Sequence, residues 1–86
     1  MKTGIYSAVV KNFSGRKFAI AVESSELDHR RDLRTVAQIV TGLPLAAIRL
    51  HDVKPIPSST VGGWQAIRQC IDNGSHWAWC DAGLCE

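Results

Sequence analysis

Four residues near the C-terminal end are of types that hold metal ions: Cys70, His76, Cys80 and Cys85. Thiolate and imidazole are the ligands zinc prefers. Their spacing, Cys-x5-His-x3-Cys-x4-Cys, lacks the close Cys-x2-Cys pair of a typical zinc knuckle, and Cys85 stands one residue from the end. No metal site is expected from them. Nucleophilic chemistry would need a Ser or Cys beside a base, and His29, His51 and His76 are the bases on offer. None of them sits in a nucleophile elbow or follows a glycine-rich phosphate cradle, and Gly62-Gly63 alone reads as a loop. Glu23, Glu26, Asp28 and Asp32 have the spacing of solvated helix charges rather than of a paired acid and base. The expectation is a protein that is not an enzyme and takes no cofactor.

Binding chemistry is better represented. Arg30, Arg31 and Arg34 fall within about one helical turn, and guanidinium forks suit phosphate or carboxylate. Arg49 or Arg68 could extend the group from a neighbouring sheet. The plainer reading of the same arginines is a solvated helix face partly neutralised by Glu26, Asp28 and Asp32. The three tryptophans also admit two readings. Trp77 and Trp79 share one side of a strand and serve either as core or as an exposed aromatic platform for a partner, stacking on single-stranded nucleic acid included.

The elements that must position these residues follow from periodicity. Residues 4–11 (GIYSAVVK) are rich in β-branched and aromatic types, and Asn12-Phe13-Ser14-Gly15 reads as a turn. In the next segment Phe18, Ile20 and Val22 take one face and Lys17 and Glu23 the other, which completes an antiparallel hairpin. Ser25 with Asp28 approximates a capping box, and Leu33, Val36, Ala37 and Val40 recur at helical spacing. Gly42 and Pro44 stop the helix, so it is expected over about residues 26–41. Residues 45–53 (LAAIRLHDV) alternate again and read as a third strand. Residues 54–63 hold two prolines and two glycines in a short span and read as an internal loop. Residues 64–71 (WQAIRQCI) fit a strand that turns at Asp72-Asn73-Gly74 into residues 76–80, with Arg68 opposite Trp79. A short helix carrying Trp64, Ile67 and Ile71 on one face is the alternative, and the Asn-Gly turn favours the hairpin. The expected fold is α+β, an antiparallel sheet of four to five strands with one main helix packed on one face, in a ββαββ-like layout.

Length and composition set the frame. At 86 residues, 45% hydrophobic and 21% charged, the chain is one globular domain. A chain this short buries roughly 60–65% of its unfolded surface, which leaves little mass to shape a reaction cleft. Net charge is +2, unevenly spread: residues 1–34 carry seven basic against four acidic side chains, while residues 69–86 carry three acids and no base. Residues 81–86 read as a flexible acidic tail. No stretch nears the ~20 apolar residues of a membrane span, and no secretory leader is evident, so a cytoplasmic location is expected. There an odd number of cysteines argues against a disulfide framework. The sequons at Asn12 and Asn73 then mean turn chemistry alone.

The order of elements carries a resemblance. A hairpin runs into Glu23-Ser24-Ser25 and a polar helix. Then come Ala47-Ile48-Arg49-Leu50-His51-Asp52-Val53 and the closing Asp72-Asn73-Gly74-Ser75-His76-Trp77-Ala78-Trp79-Cys80-Asp81. This layout over residues 5–81 resembles small phage-encoded type I anti-CRISPR proteins, from which the loop at 54–63 and the acidic end depart. The resemblance implies a protein in the cytoplasm of a bacterial host. It would sit on proteins of the CRISPR surveillance complex (Cascade) and block target DNA recognition or nuclease recruitment. Its contacts would come from Arg30, Arg31 and Arg34, with Lys11, Lys17 and Arg49 secondary. The rival expectation is a small nucleic-acid-binding module that uses the basic helix and sheet face.

Overall fold

A computed structural model of the chain describes residues 3–57 and 62–82. The hairpin forms as its alternation requires. Strand β1 (Thr3–Lys11) pairs antiparallel with β2 (Lys17–Ser25) in continuous register from Thr3↔Ser25 to Lys11↔Lys17. The turn between them is built by Asn12. Its Oδ1 accepts from the Ser14 and Arg16 amides, both at 3.0 Å, and its own amide donates to the Arg16 carbonyl. This is the local side-chain turn chemistry that asparagine favours.

Helix α1 (His29–Thr41) starts later than the expected residue 26 because β2 continues to Ser25. The Ser25 hydroxyl instead accepts the Asp28 amide at 3.1 Å, closing the turn that precedes the helix. Ser24 Oγ donates to Asp32 and ties the first helical turn back to the strand. Gly42 ends the helix in the left-handed conformation (φ 75°), its amide donating to the Gln38 carbonyl at 2.9 Å.

After Pro44 a 3-10 turn occupies Leu45–Ala47, and β3 is confined to His51–Pro55. The strand expected over residues 45–53 therefore begins six residues later and runs into the expected loop. It lies antiparallel beside β1, opposite to β2, with a register shift between Ser7 and Val9 and Asp52 at φ 54°.

Residues 64–71 do not form a hairpin arm. They lie within helix α2 (Gly63–Asp72), and Asn73-Gly74 ends that helix instead of turning two strands. The Asn73 amide donates to the Gln69 carbonyl and that of Ser75 to the Cys70 carbonyl. Between them Gly74 takes φ 112°, a conformation that disfavours any residue with a Cβ. Strand β4 (Trp77–Asp81) then pairs antiparallel with β2, and the sheet order is β3-β1-β2-β4.

The physical reason for a second helix lies in β2. Phe18, Ile20 and Val22 face α1, where they join Ala8, Val10, Leu33, Val36, Ala37, Leu43 and Ile48 in the larger core. Ala19 and Ala21 on the opposite face are also fully buried, with Ile5, Ile56, Ile67 and Ile71. A strand apolar on both faces has to be covered twice. The small alanines let α2 approach the sheet, and Trp64, Ile67 and Ile71 share the helical face that meets them. The fold is α+β: four antiparallel strands with α1 on one face and the shorter α2 on the other.

Candidate functional site

The register of the hairpin sets Lys11 directly opposite Lys17 at the turn end of the sheet. Directly opposed residues of antiparallel strands project from the same face, so the two ammonium groups share one side of the sheet. Opposed like charges destabilise the pairing that holds them. On the other side of β1, Lys54 stands opposite Ser7 and His51 opposite Val9. Ser7 is buried and its hydroxyl donates to the Lys54 carbonyl at 3.2 Å, which fixes the backbone that presents this lysine.

Between these strands and the start of α2 lies a depression of about 220 Å³ lined by Val9, Lys17, Ala19, Asp52, Lys54, Trp64 and Ala82. A neighbouring hollow shares Lys54 and Trp64 and continues past Ser7, Pro55, Ile56 and Pro57. At the end of the sheet a third, of about 330 Å³, is lined by Lys11, Asn12, Phe13, Leu43, Ala47, Arg49 and His51. The Phe13 ring, at the tip of the hairpin turn, is 86% exposed. Arg49 is held at this rim by hydrogen bonds from its guanidinium to the carbonyls of Ala46 and Ile48. Among the described residues no ion pair involves Lys11, Lys17, Lys54 or Arg49.

The six basic residues singled out in the sequence do not form one surface. Lys11, Lys17 and Arg49 gather at the turn end, joined by Lys54 and His51. Arg30, Arg31 and Arg34 lie on α1, which begins after the far end of β2 and covers the opposite face of the sheet. Eight residue steps of strand separate Lys17 from Ser25, roughly 26 Å at the usual rise. Arg31 is engaged by Asp28 at 3.7 Å and Asp32 at 3.5 Å, whereas no ion pair among the described residues involves the exposed Arg30 and Arg34. Lys54 was hidden from sequence reasoning by Pro55 and Pro57, which mark a loop. The alternation through Val53 and Lys54 was the signal that the strand continued.

Other candidate residues take structural places. Arg68 donates to the Ile56 carbonyl at 2.7 Å and pairs with Asp72 at 3.6 Å; it is on α2 and does not face Trp79 across a hairpin. Trp79 stands opposite Ile20 and meets Phe18 edge-on, while Trp77 packs against the larger core. Arg16 reaches from the hairpin turn to Asp81 at 2.8 Å and lies over the Phe18 ring. The His29 ring stacks on Tyr6 at 4.1 Å, and its Nδ1 lies 2.7 Å from the Glu26 carbonyl, so this histidine anchors the start of α1.

Cysteine chemistry differs from the sequence expectation. Cys80 is disulfide-bonded, and Cys70 on α2 is a free, exposed thiol. An odd count does not exclude a bond, because one disulfide and one thiol also use three cysteines. With its sulfur so engaged, Cys80 is no ligand, and Cys85 lies outside the described residues. Among the described residues no three His, Cys, Asp or Glu side chains are grouped to hold a metal ion. Nor is any helix among them long and apolar enough to cross a membrane.

No family model matches the chain, and neither a curated protein nor a solved structure does.

Proposed function

We propose that this chain works by contact, through the basic turn end of its sheet, and that the surface it contacts is the phosphate backbone of a nucleic acid. One observation carries the reading. Lys11 and Lys17 are opposed on one face beside Lys54, with no carboxylate among the described residues within ion-pairing distance. The fold gains nothing from that concentration of like charge, whereas a polyanion would neutralise it. The exposed Phe13 and the rim residue Trp64 add ring faces on which an unpaired base can stack.

Binding to a labelled single-stranded oligonucleotide across a salt series tests this. Three phosphate contacts give a slope of log K against log salt of roughly −2, at about −0.7 per contact. Lys17→Gln combined with Lys54→Gln should flatten that slope by roughly two contacts' worth, about 1.4, without lowering the melting midpoint, since it removes the opposed charge at Lys11 and Lys17. Absence of binding at low salt, or binding that ignores salt, overturns the reading.

A second reading keeps the inhibitor expectation. The anti-CRISPR resemblance rests on a layout over residues 5–81, of which the order of hairpin, helix and strand is present over residues 3–55 and the closing hairpin is not. Arg30 and Arg34, exposed and in no ion pair among the described residues, supply its contacts, and α2 departs from it. On this reading the chain co-elutes at fixed stoichiometry with a purified type I surveillance complex, and Arg30→Glu with Arg34→Glu abolishes that. A complex that neither binds the chain nor loses interference in a phage-plating assay excludes it.

A further inference from the structure

At the depression flanked by Lys17 and Lys54, strand β3 holds one residue more than the strand it pairs with. Ser7 stands opposite Lys54 and Val9 opposite His51, so Asp52 and Val53 together face the single Ala8. That is a β-bulge, which re-aims the side chains it carries. His51 is on the side of Val9, and alternation alone would send the next side chain to the other side of the sheet. The extra residue, with Asp52 at φ 54°, brings Asp52 round to line the depression with Val9 and Lys54, while Val53 packs against the larger core. Aspartate tolerates this left-handed conformation where most side chains do not. Asp52 is exposed, and among the described residues no ion pair or side-chain hydrogen bond involves it. An unneutralised carboxylate thus stands in the middle of a basic surface, where it repels the phosphate that the lysines attract.

We propose that Asp52 reads a base: the depression receives one unpaired guanine of the strand whose phosphates the lysines hold. This rests on the phosphate-backbone reading above and names the base it selects. Guanine alone among the four bases offers two adjacent donors, N1–H and N2–H, on its Watson–Crick edge, and the two oxygens of a carboxylate accept both. Cytosine and adenine each offer one amino group beside a ring-nitrogen acceptor, and thymine one N–H between two carbonyls. In each of those cases an acceptor would lie against a carboxylate oxygen. The guanine O6, next to N1–H, accepts from an ammonium at the rim. Lys54 or Lys17, with three N–H bonds, can serve O6 and a flanking phosphate together. Val9 and Ala19 give the depression an apolar floor, and Trp64 adds an aromatic wall for the base. Size agrees with one base and not a base pair, since about 220 Å³ lies below the roughly 300 Å³ at which sites for drug-sized ligands begin.

Fluorescence anisotropy of the full chain with labelled oligothymidylates of about ten nucleotides tests the proposal. One probe is all thymine, and the others carry a single central guanine, cytosine, adenine or hypoxanthine. The guanine probe should bind roughly five- to a hundredfold more tightly than the all-thymine probe, the span for a bidentate base contact. Hypoxanthine, which lacks the N2 amino group, should lose most of that gain. Asp52→Asn keeps a residue at ease in the left-handed region, so the fold is spared. It should reduce the guanine preference to below about twofold while tightening the all-thymine probe, because a charge that repels phosphate is gone. A merely structural role for Asp52 would not move the two probes in opposite directions. Equal binding of all probes overturns the guanine assignment and leaves the phosphate reading standing. So does a preference for another base, a hypoxanthine probe that matches guanine, or a guanine preference that survives Asp52→Asn. Absence of binding to every probe at low salt overturns both.

Discussion

The placement of α2 makes Ile67→Ala the most informative perturbation of this fold. Ile67 is 3% exposed and packs in the smaller core with Ile5, Ala19, Ala21, Ile56 and Ile71. The substitution removes three carbons, and at about 0.8 kcal/mol for each buried methylene the transfer term is roughly 2.4 kcal/mol. A cavity term adds to it, at about 24 cal/mol for each Å³ that does not collapse. Collapse is limited here, because two of the neighbours are alanines fixed in a central strand. The total is therefore about 3–4 kcal/mol, within the range for large-to-small changes in cores. For a domain of this size, whose whole stability is of order 5–10 kcal/mol, the midpoint of thermal unfolding should fall by roughly 12–32 °C. Urea unfolding followed by circular dichroism measures it, with the slope unchanged if the denatured state is unaltered. Gln65→Ala, two residues earlier at an exposed position of the same helix, is the control and should stay within about 0.5 kcal/mol. A loss below about 1 kcal/mol for Ile67→Ala would refute the second core.

Two further outcomes follow from the same structure. Gly74→Ala meets no atom within 4 Å, so its cost is backbone strain alone at φ 112°, about 1–2 kcal/mol, read as a lowered melting midpoint with unchanged secondary structure. Ellman titration of the native, unreduced chain should find one fast-reacting thiol, and Cys70→Ser should abolish it; a persistent fast thiol in that variant would contradict the bonded state of Cys80.

How far the sequence reached depended on whether the deciding contacts were local. The first hairpin was legible because its turn is made by Asn12 bonding to residues two and four positions on, and its register follows from the turn. The main helix was legible through its apolar spacing and through Gly42 and Pro44, though its start was not, since Ser25 belongs to the strand. The second helix depended on a remote fact. Trp64, Ile67 and Ile71 shared a helical face in the sequence, but Asn73-Gly74 serves equally as a hairpin turn and as a helix stop. What decides is whether the other side of the sheet needs cover. That need was written in Ala19 and Ala21, which alternate with Phe18, Ile20 and Val22 and make β2 apolar on both faces.

The same non-locality divided the basic residues. Lys11 and Lys17 are paired by a turn of five residues, so their proximity could be read directly. Lys54 reaches them only because β3 crosses to the far side of β1, a connection that passes through the whole of α1. The arginines of α1 read as one group with them along the chain, yet they lie near the start of the helix, which follows the end of β2 away from the hairpin turn, and on the opposite face of the sheet. Function is therefore to be sought at two separate basic surfaces, and charge reversal at one end should leave binding through the other intact. Substituting Lys17 and Lys54 interrogates the nucleic-acid reading alone, and substituting Arg30 and Arg34 interrogates the inhibitor reading alone. If both pairs of substitutions abolished the same activity, the two surfaces would have to meet one extended partner spanning roughly 26 Å of strand.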